Sequence, residues 1–534
     1  MKQIYLAALT LAFASLTGCD SDVVGETKVT DGEKHCTALR GTQLGFGTVE
    51  KAEHIAQGEQ LVSLWKRLTL KVLAPQLPPI SVLAPRDFCR VSAELHAAPG
   101  SLVKVQVWLP YEWNGKMYAG GGGGFNGGLF AAPLVMYEAS TKGYASVVTD
   151  VGHEMSESAE FARNREQFID YGYRGNHVTA VFTKDLIKAY YGKPATRAYF
   201  VGGSNGGREA LMEARRFPED YDGIVAGMPA NSFTKLVGVS FLWNHQAVQS
   251  APNLGTKLGL VYGAVMAKCD ALDEVEDRVL ENPLQCQFDP SELQCKGNDA
   301  ADCLTSNEVA ALRKIYGGPR LKDGTQVFPG QSVGGEGIAT NWDTWIVGEK
   351  SIQAGMGEEF LRWMVYGDAK WDKSQFDLDR DYPLAMERAA PVLDSDDPDL
   401  SGFLARGGKL IIHHGWADAA IPPASTLNYY DALRSKLGAA ADQHVRLFMV
   451  PGMLHGSGGG HAPTSYDMLS ELDRWVEGGT PPERVIVSKY ETNQPFALGD
   501  QGKVVRTRPL CAWPKVASYG GSGSTDDAAN FSCK

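Results

Sequence analysis

Residues Arg197 to Pro218 read RAYFVGGSNGGREALMEARRFP, and this stretch narrows the possible folds more than any other. Ala198 to Val201 is a short apolar run of the kind that makes a fully buried strand. Gly206 to Phe217 has helical spacing, with Ala210, Leu211, Ala214 and Phe217 on one face. Between them lie Gly202, Gly203, Ser204, Asn205 and Gly206. A strand turning so sharply into a helix leaves little space around Ser204, and glycines two residues before and after it let the backbone pass closely. Such a turn lifts a serine hydroxyl clear of a sheet, where it can act as a nucleophile. A competing reading is a glycine-rich loop that cradles a phosphate at a helix N-terminus.

The wider chain favours the nucleophile. Its 534 residues, 43% hydrophobic and 21% charged, suffice for one large domain with an insertion or for two domains. The net charge of -12 argues against nucleic acid as a partner. At the N-terminus, Lys2, an apolar core from Ile4 to Ala14 and small residues before Cys19 read as a signal peptide over 1–18, too short to span a bilayer. Leu16-Thr17-Gly18-Cys19 resembles the bacterial lipoprotein box, so Cys19 is the expected lipidation site, followed by a polar tether over 19–35. The alternative is a plain secretory signal. Eight further cysteines, an even number in an exported chain, suggest disulfides, although eight can pair in about a hundred ways. Joining neighbours is the simplest reading: Cys36 with Cys89, Cys269 with Cys286, Cys295 with Cys303, and Cys511 with Cys533.

Along the chain, Ser101 to Pro110 alternates, with Val103, Val105, Val107 and Leu109 on one face, and reads as a half-buried strand from the antiparallel edge of a mixed sheet. After Lys116 to Ala119 come five consecutive glycines, Gly120 to Gly124, whose ordering costs entropy and so implies a need for bare backbone. Tyr144 to Asp150 and Tyr221 to Gly227 read as further strands, with a helix from about Val178 to Tyr191; the alternation implies a largely parallel sheet. Strand signals fade from 231 to 400, as expected of an inserted lid, and return in Gly408 to Asp418 and Val445 to Val450. The expected organisation is a core over 36–230 and 401–534 interrupted by a lid over 231–400.

Ser204, Asp418 and His455 each follow a strand and stand in the order of an α/β-hydrolase triad. Histidine titrates near neutrality, which suits a proton carrier, and a carboxylate can hold its tautomer. His153, which precedes Ser204, is expected to be a wall or hydrogen-bonding residue; His413, His414 and His461 are rival bases. In this fold the loop after the early strand and the residue after the nucleophile supply the oxyanion-hole amides, so Gly124 and Asn205 are the candidates.

Gly206-Gly207-Arg208-Glu209, the Tyr221 to Gly227 strand, His414-Gly415-Trp416-Ala417-Asp418, Pro451-Gly452-Met453-Leu454-His455 and Arg506 to Cys511 together resemble the tannase and feruloyl esterase family, which includes the mono(2-hydroxyethyl) terephthalate hydrolases. The resemblance implies an α/β-hydrolase fold, a mostly parallel sheet flanked by helices with a large inserted lid, acting on esters of aromatic acids. One departure stands out. The family usually carries a bridged cysteine pair beside the serine and the histidine, where this chain has Gly203 and Gly456. The resemblance also implies a structural Ca2+ in the lid, held by the carboxylates of Asp270, Asp273 and Asp277 and the carbonyls of Val275 and Val279, since hard cations prefer oxygen ligands. Glu274 and Arg278 stand where the family often has glycine, and an acidic solvated helix is the other reading.

Trp345, Phe360 and Trp363 are the expected substrate-stacking residues, within an aromatic group that can equally be core. Phenolic esters such as feruloyl or galloyl compounds are the implied substrates, and the terephthalate half-ester is the alternative. Half-ester hydrolases bear a lid arginine for the free carboxylate, whereas Gly348 to Leu361 offers only Lys350, which lacks a guanidinium's two-pronged fit. A different class of reading is a non-catalytic aromatic-ligand-binding lipoprotein.

Overall fold

The computed structural model describes residues 31–62, 82–125, 127, 129, 131–348, 350–456, 458–492 and 502–534. The signal peptide and Cys19 lie outside the described residues. The last part of the expected tether is folded: Asp31–Thr37 is a helix, tied to the core by the Cys36–Cys89 bridge and by a 2.7 Å hydrogen bond between His35 Nε2 and the Tyr190 carbonyl.

A ten-stranded sheet forms the centre. Its strands are β1 (Gln43–Leu44), β2 (Gly47–Ile55), β3 (Phe88–Leu95), β4 (Val103–Pro110), β5 (Lys116–Gly120), β6 (Ala145–Thr149), β7 (Arg197–Gly203), β8 (Gly223–Gly227), β9 (Lys409–Gly415) and β10 (Val445–Val450), in the spatial order β1-β2-β3-β4-β6-β5-β7-β8-β9-β10. Pairing is antiparallel from β1 through β4 to β6, and parallel from β6 to β10. β4 therefore lies inside the sheet, with antiparallel neighbours on both sides, and not at its edge. Alternation explains how it serves there. Val103, Val105, Val107 and Leu109 face one core, while Trp108 stacks on Phe88 on the opposite face at 4.6 Å.

Helices α1 (Gly175–Tyr191) and α2 (Asn205–Arg216) pack Phe182, Leu186, Ala210 and Leu211 against the first face. Helix α3 (Met468–Gly478) covers the second with Leu472 and Trp475. Phe182 with Leu186, and Leu472 with Trp475, lie one helical turn apart, so each pair falls on one face of its helix.

Between β8 and β9 the chain makes one long excursion that supplies no strand to this sheet. It contains the helices Phe241–Gln249, Leu258–Cys269, Ser306–Gly317, Ile352–Glu359 and Leu378–Arg388. A large apolar cluster helps join the excursion to the rest: in it Phe233, Phe241 and Leu361 meet Phe161, Phe168 and Tyr171. Two small sheets close the C-terminal region: β11 (Arg484–Tyr490) with β12 (Val504–Cys511), and β13 (Ala517–Tyr519) with β14 (Phe531–Cys533). Four disulfides join Cys36 to Cys89, Cys269 to Cys286, Cys295 to Cys303 and Cys511 to Cys533, the pairs that joining neighbours gives.

Candidate active site

β7 ends at Gly203 and α2 begins at Asn205, which leaves Ser204 alone in the turn at φ 61° and ψ -123°. A residue with a Cβ holds that conformation only at a cost of about 1–3 kcal/mol, so the surroundings must over-determine it. They do so through the backbone. The Ser204 N-H donates to the Gly227 carbonyl at 2.9 Å, and the Ser204 carbonyl accepts the Ala230 N-H at 3.1 Å. The helix start presses against its neighbours: a Cβ at Gly206 would lie 2.8 Å from the Gly122 carbonyl, and one at Gly207 2.6 Å from that of Gly227.

The structure brings Ser204, His455 and Asp418 together. Ser204 Oγ lies 2.9 Å from His455 Nε2, and His455 Nδ1 lies 2.8 Å from Asp418 Oδ2. Each side chain comes from a loop at the C-terminal end of a parallel strand: β7, β9 and β10. Asp418 is buried, and its Oδ1 accepts the N-H groups of Ala420 at 2.8 Å and Ile421 at 2.9 Å. His414 Nε2 lies 3.3 Å from Oδ2. Burial alone would push the Asp418 carboxyl up, but the charge of His455 and the hydrogen bonds from His414 and His455 outweigh it, so it is held well below the usual carboxylate range.

The rival histidines are occupied elsewhere. His153 is buried, stacks on Phe161 at 3.8 Å and bonds the Phe125 carbonyl, as a wall residue would. His414 contacts Thr426 Oγ1 at 2.7 Å and supports Asp418 from behind. His413 Nδ1 is engaged by Tyr466 Oη at 2.8 Å, and burial, with a smaller contribution from His414, lowers its pKa to about 3. His461 follows the glycine run after His455 and does not line the cavity at Ser204.

Gly124 and Asn205 both border the space in front of Ser204. Asn205 is the first residue of α2, so its N-H has no intrahelical partner. Gly124 has φ 58°, a conformation natural to glycine. Behind both lies a buried polar network that the sequence reading did not single out. Tyr171 Oη donates to the Gly124 carbonyl at 2.7 Å. Glu209 accepts the Gly122 N-H at 2.9 Å through one carboxylate oxygen and Asn205 Nδ2 at 2.8 Å through the other, which ties the glycine loop to the nucleophile helix. Arg208, with no exposed surface, donates to Asn205 Oδ1 at 2.6 Å and to the carbonyls of Gly172 and Tyr171 at 2.7 and 3.0 Å. The available signal was a charged pair, Arg208-Glu209, on the otherwise core-facing first turns of α2.

A cavity of about 620 Å3 opens over Ser204, lined chiefly by apolar side chains. Of the three aromatic residues expected to touch substrate, only Trp345 lines it, edge-on to His455 at 5.0 Å between ring centroids. Phe360 is fully buried, its ring 6.0 Å from that of Phe233, and belongs to the core. Trp363 lies away from the cavity, with Arg163 over its ring and its indole N-H bonded to Glu359. Phe233, Phe241 and Met356 supply the apolar surface instead. Lys350 is not among the lining residues.

The acidic loop after Cys269 presents a second cavity, of about 20 Å3, lined by Asp273, Val275, Asp277 and Val279 and also by Glu281 and Arg508. Asp273 accepts the N-H groups of Val275 and Glu281, and Asp277 Oδ2 accepts Arg506 and Arg508 at 2.9 and 2.7 Å. Asp270 does not line this cavity. Its Oδ2 accepts the Arg278 N-H at 3.0 Å, and its Oδ1 is buried without a hydrogen-bond partner. Among the described residues no three His, Cys, Asp or Glu side chains converge as a ready metal cluster. Carboxylate oxygens are the donors a hard cation takes, and the Asp270 oxygen is left unpartnered, whereas Asp277 already carries two arginine partners. Glu274 and Arg278 take φ 69° and 64°, so the loop keeps left-handed turns without glycine.

A family model described as "Tannase and feruloyl esterase" matches residues 89–534. The chain belongs to this family. Among its relatives, an esterase of Xanthomonas campestris pv. campestris is 35% identical over 492 residues, covering 84% of each chain. The mono(2-hydroxyethyl) terephthalate hydrolase of Piscinibacter sakaiensis is 31% identical over 525 residues, covering 85% of this chain and 86% of that one. The crystal structure of feruloyl esterase B from Aspergillus oryzae superposes with a TM-score of 0.81 at 24% identity, over 94% of this chain and all of the other, which supports the shared α/β-hydrolase architecture. In this member of the tannase and feruloyl esterase family, Gly203 and Gly456, beside the serine and the histidine, both border the cavity.

Proposed function

We propose that this chain is a serine carboxylic ester hydrolase that cleaves esters of phenolic aromatic acids through an acyl-enzyme. The observation that carries the reading is the unbroken relay from Ser204 Oγ through the His455 ring to the buried Asp418. His455 takes the proton from Ser204 as the hydroxyl attacks the ester carbonyl, then returns it to the leaving alcohol. Asp418 holds the tautomer that keeps Nε2 facing the serine and stabilises the imidazolium that forms. The amides of Asn205 and Gly124 receive the developing oxyanion, each contributing roughly 3 kcal/mol. Water then repeats the sequence on the acyl-enzyme and frees the acid.

The cavity supports the choice of acid. Trp345, Phe233 and Met356 offer an apolar bed for a planar ring, and among the described residues the lining includes neither lysine nor arginine. A substrate with a second, free carboxylate would have to be desolvated there without a counter-charge, which disfavours the terephthalate half-ester. Methyl ferulate and methyl gallate are expected to exceed that half-ester in kcat/KM by at least tenfold; the reverse order would assign the enzyme to the half-ester. An active-site phosphonate should label the parent protein and fail to label Ser204→Ala. Absence of labelling in the parent would favour a binding protein with this fold.

The same reading includes a structural Ca2+ held by Asp270, Asp273, Asp277 and the carbonyls of Val275 and Val279, supported by the oxygen-rich loop and the orphaned Asp270 oxygen. Bound there, the ion would neutralise a cluster of carboxylates and fasten the loop beside the Cys269–Cys286 bridge. An ion present at a hundred times its Kd stabilises by about 2.7 kcal/mol. Removal with a chelator should therefore lower Tm by roughly 3 °C or more. An unchanged Tm would exclude the ion.

Four disulfides suit an oxidising compartment, and we place the protein outside the cytoplasm, attached to the bacterial envelope through a lipid at Cys19. Among the described residues no helix is long and apolar enough to cross a membrane. Metabolic labelling with a radioactive fatty acid that persists in Cys19→Ser would remove the anchor.

A further inference from the structure

The cavity at Ser204 extends to both sides of the serine. One part is roofed by the excursion between β8 and β9, through Phe233, Trp345 and Met356. The other part descends along the sheet. On β7, Phe200 belongs to the core beneath α2, while Tyr199 and Val201 pack toward the opposite face, and the alternation carries that face to Gly203. There the cavity is bounded by Tyr118, Val135, Glu138, Val201, Met228 and His413. Gly203 and Gly456 also border the cavity, and neither has a side chain to fill it. A Cβ at Gly203 would already stand 2.9 Å from Met228 Sδ.

We infer that this lower lobe is a second subsite, so that the enzyme accepts esters bulky on both sides of the carboxyl group, with an uncharged, mainly apolar group seated between Val135 and Met228. Its polar side chains are already engaged, Tyr118 Oη with the Val135 carbonyl and His413 Nδ1 with Tyr466 Oη, so a strongly hydrated group would enter at a cost. Glu138, the one carboxylate among its described lining residues, already pairs with Lys142 at 2.8 Å and would repel an anion. Burial keeps His413 uncharged beside it. The inference rests on the esterase reading only for its catalytic readout. The lobe itself is a binding feature.

Three esters separate the lobes: methyl 4-hydroxybenzoate, benzyl acetate and benzyl 4-hydroxybenzoate. The parent should favour the last, which fills both. Val135→Trp, which plugs the lower lobe, should reduce kcat/KM for benzyl 4-hydroxybenzoate at least tenfold relative to whichever single-ring ester occupies the upper lobe. Met228→Ala, which widens the lower lobe, should shift that ratio in the opposite direction, so a poorly folded plug variant does not decide the matter alone. Ratios unchanged in both variants would overturn the inference. If the parent hydrolyses none of the three, equilibrium binding of benzyl 4-hydroxybenzoate to the parent decides. Binding weakened tenfold by Val135→Trp would retain the subsite while rejecting the esterase reading, and equal binding would reject the subsite too.

Discussion

Asp418→Asn is expected to lower kcat by about 10⁴-fold with little change in KM, the scale seen when the carboxylate of a serine-histidine-carboxylate relay becomes an amide. All four of its near polar contacts explain why. The N-H groups of Ala420 and Ile421 hold one oxygen, and the rings of His455 and His414 approach the other. An asparagine in the same place must turn its NH2 either toward two N-H donors or toward the histidines. In the first case it loses the anchor. In the second it favours the His455 tautomer with a proton on Nε2, the nitrogen that has to accept one from Ser204. Because the three residues act as one unit, the same substitution in a Ser204→Ala background should cost almost nothing further. Measured kcat for methyl 4-hydroxybenzoate gives the test: a loss smaller than tenfold would remove Asp418 from the mechanism.

Glu209→Gln is the second large effect, and it acts without touching substrate. Burial raises the Glu209 carboxyl, while Arg208, the Gly122 N-H and the side chains of Asn176 and Asn205 oppose that rise. Both of its hydrogen-bonded oxygens face N-H donors, so a proton on either would meet no acceptor, and the ionised form suits the site. Glutamine can serve one donor and must confront the other with its own NH2. Either the Gly122 loop or the Asn205 side chain is released, and the two proposed oxyanion donors lose their common brace. The expected loss is about 10²-fold in kcat, with KM nearly unchanged, comparable to removal of one oxyanion-hole donor. Tyr171→Phe, which releases only the Gly124 carbonyl, should show the same pattern at smaller size. A variant with a raised KM and unaltered kcat would assign Glu209 to substrate binding or general packing.

The elements around the serine were legible because several independent patterns coincide there. The apolar run before Ser204, the helical spacing after it and the glycines between admit few backbones, and β7 and α2 meet where those patterns change. His455 and Asp418 were legible by chain order after strongly apolar strands. The adjacent cysteine pairs were legible because loops of 8 to 53 residues close at modest entropic cost. Other features carry no local signal. Phe360 and Trp363 share the composition of a substrate bed, but whether an aromatic ring on a helix faces a cavity or a core depends on which neighbour packs against it. The position of β4 inside the sheet depends on β1 to β3, which pair with it from a distance. The Glu209 network joins residues from three separate segments, and only the fold makes them neighbours.

The excursion from 228 to 408 leaves the C-terminal end of β8 and re-enters as the adjacent parallel strand β9, whose residues pair with β8 from Gly223 opposite Lys409 to Gly227 opposite His413. Topologically it is an enlarged crossover, so relatives could exchange the whole segment without altering any strand neighbour. Its exchange would nevertheless replace the upper wall of the cavity, including Trp345 and Met356, while Ser204, Asp418 and His455 stayed on the other side of the cut. Such an arrangement separates inheritance of the reaction from inheritance of its preference: a transplanted crossover should bring a donor's choice of acid to a recipient's unchanged relay.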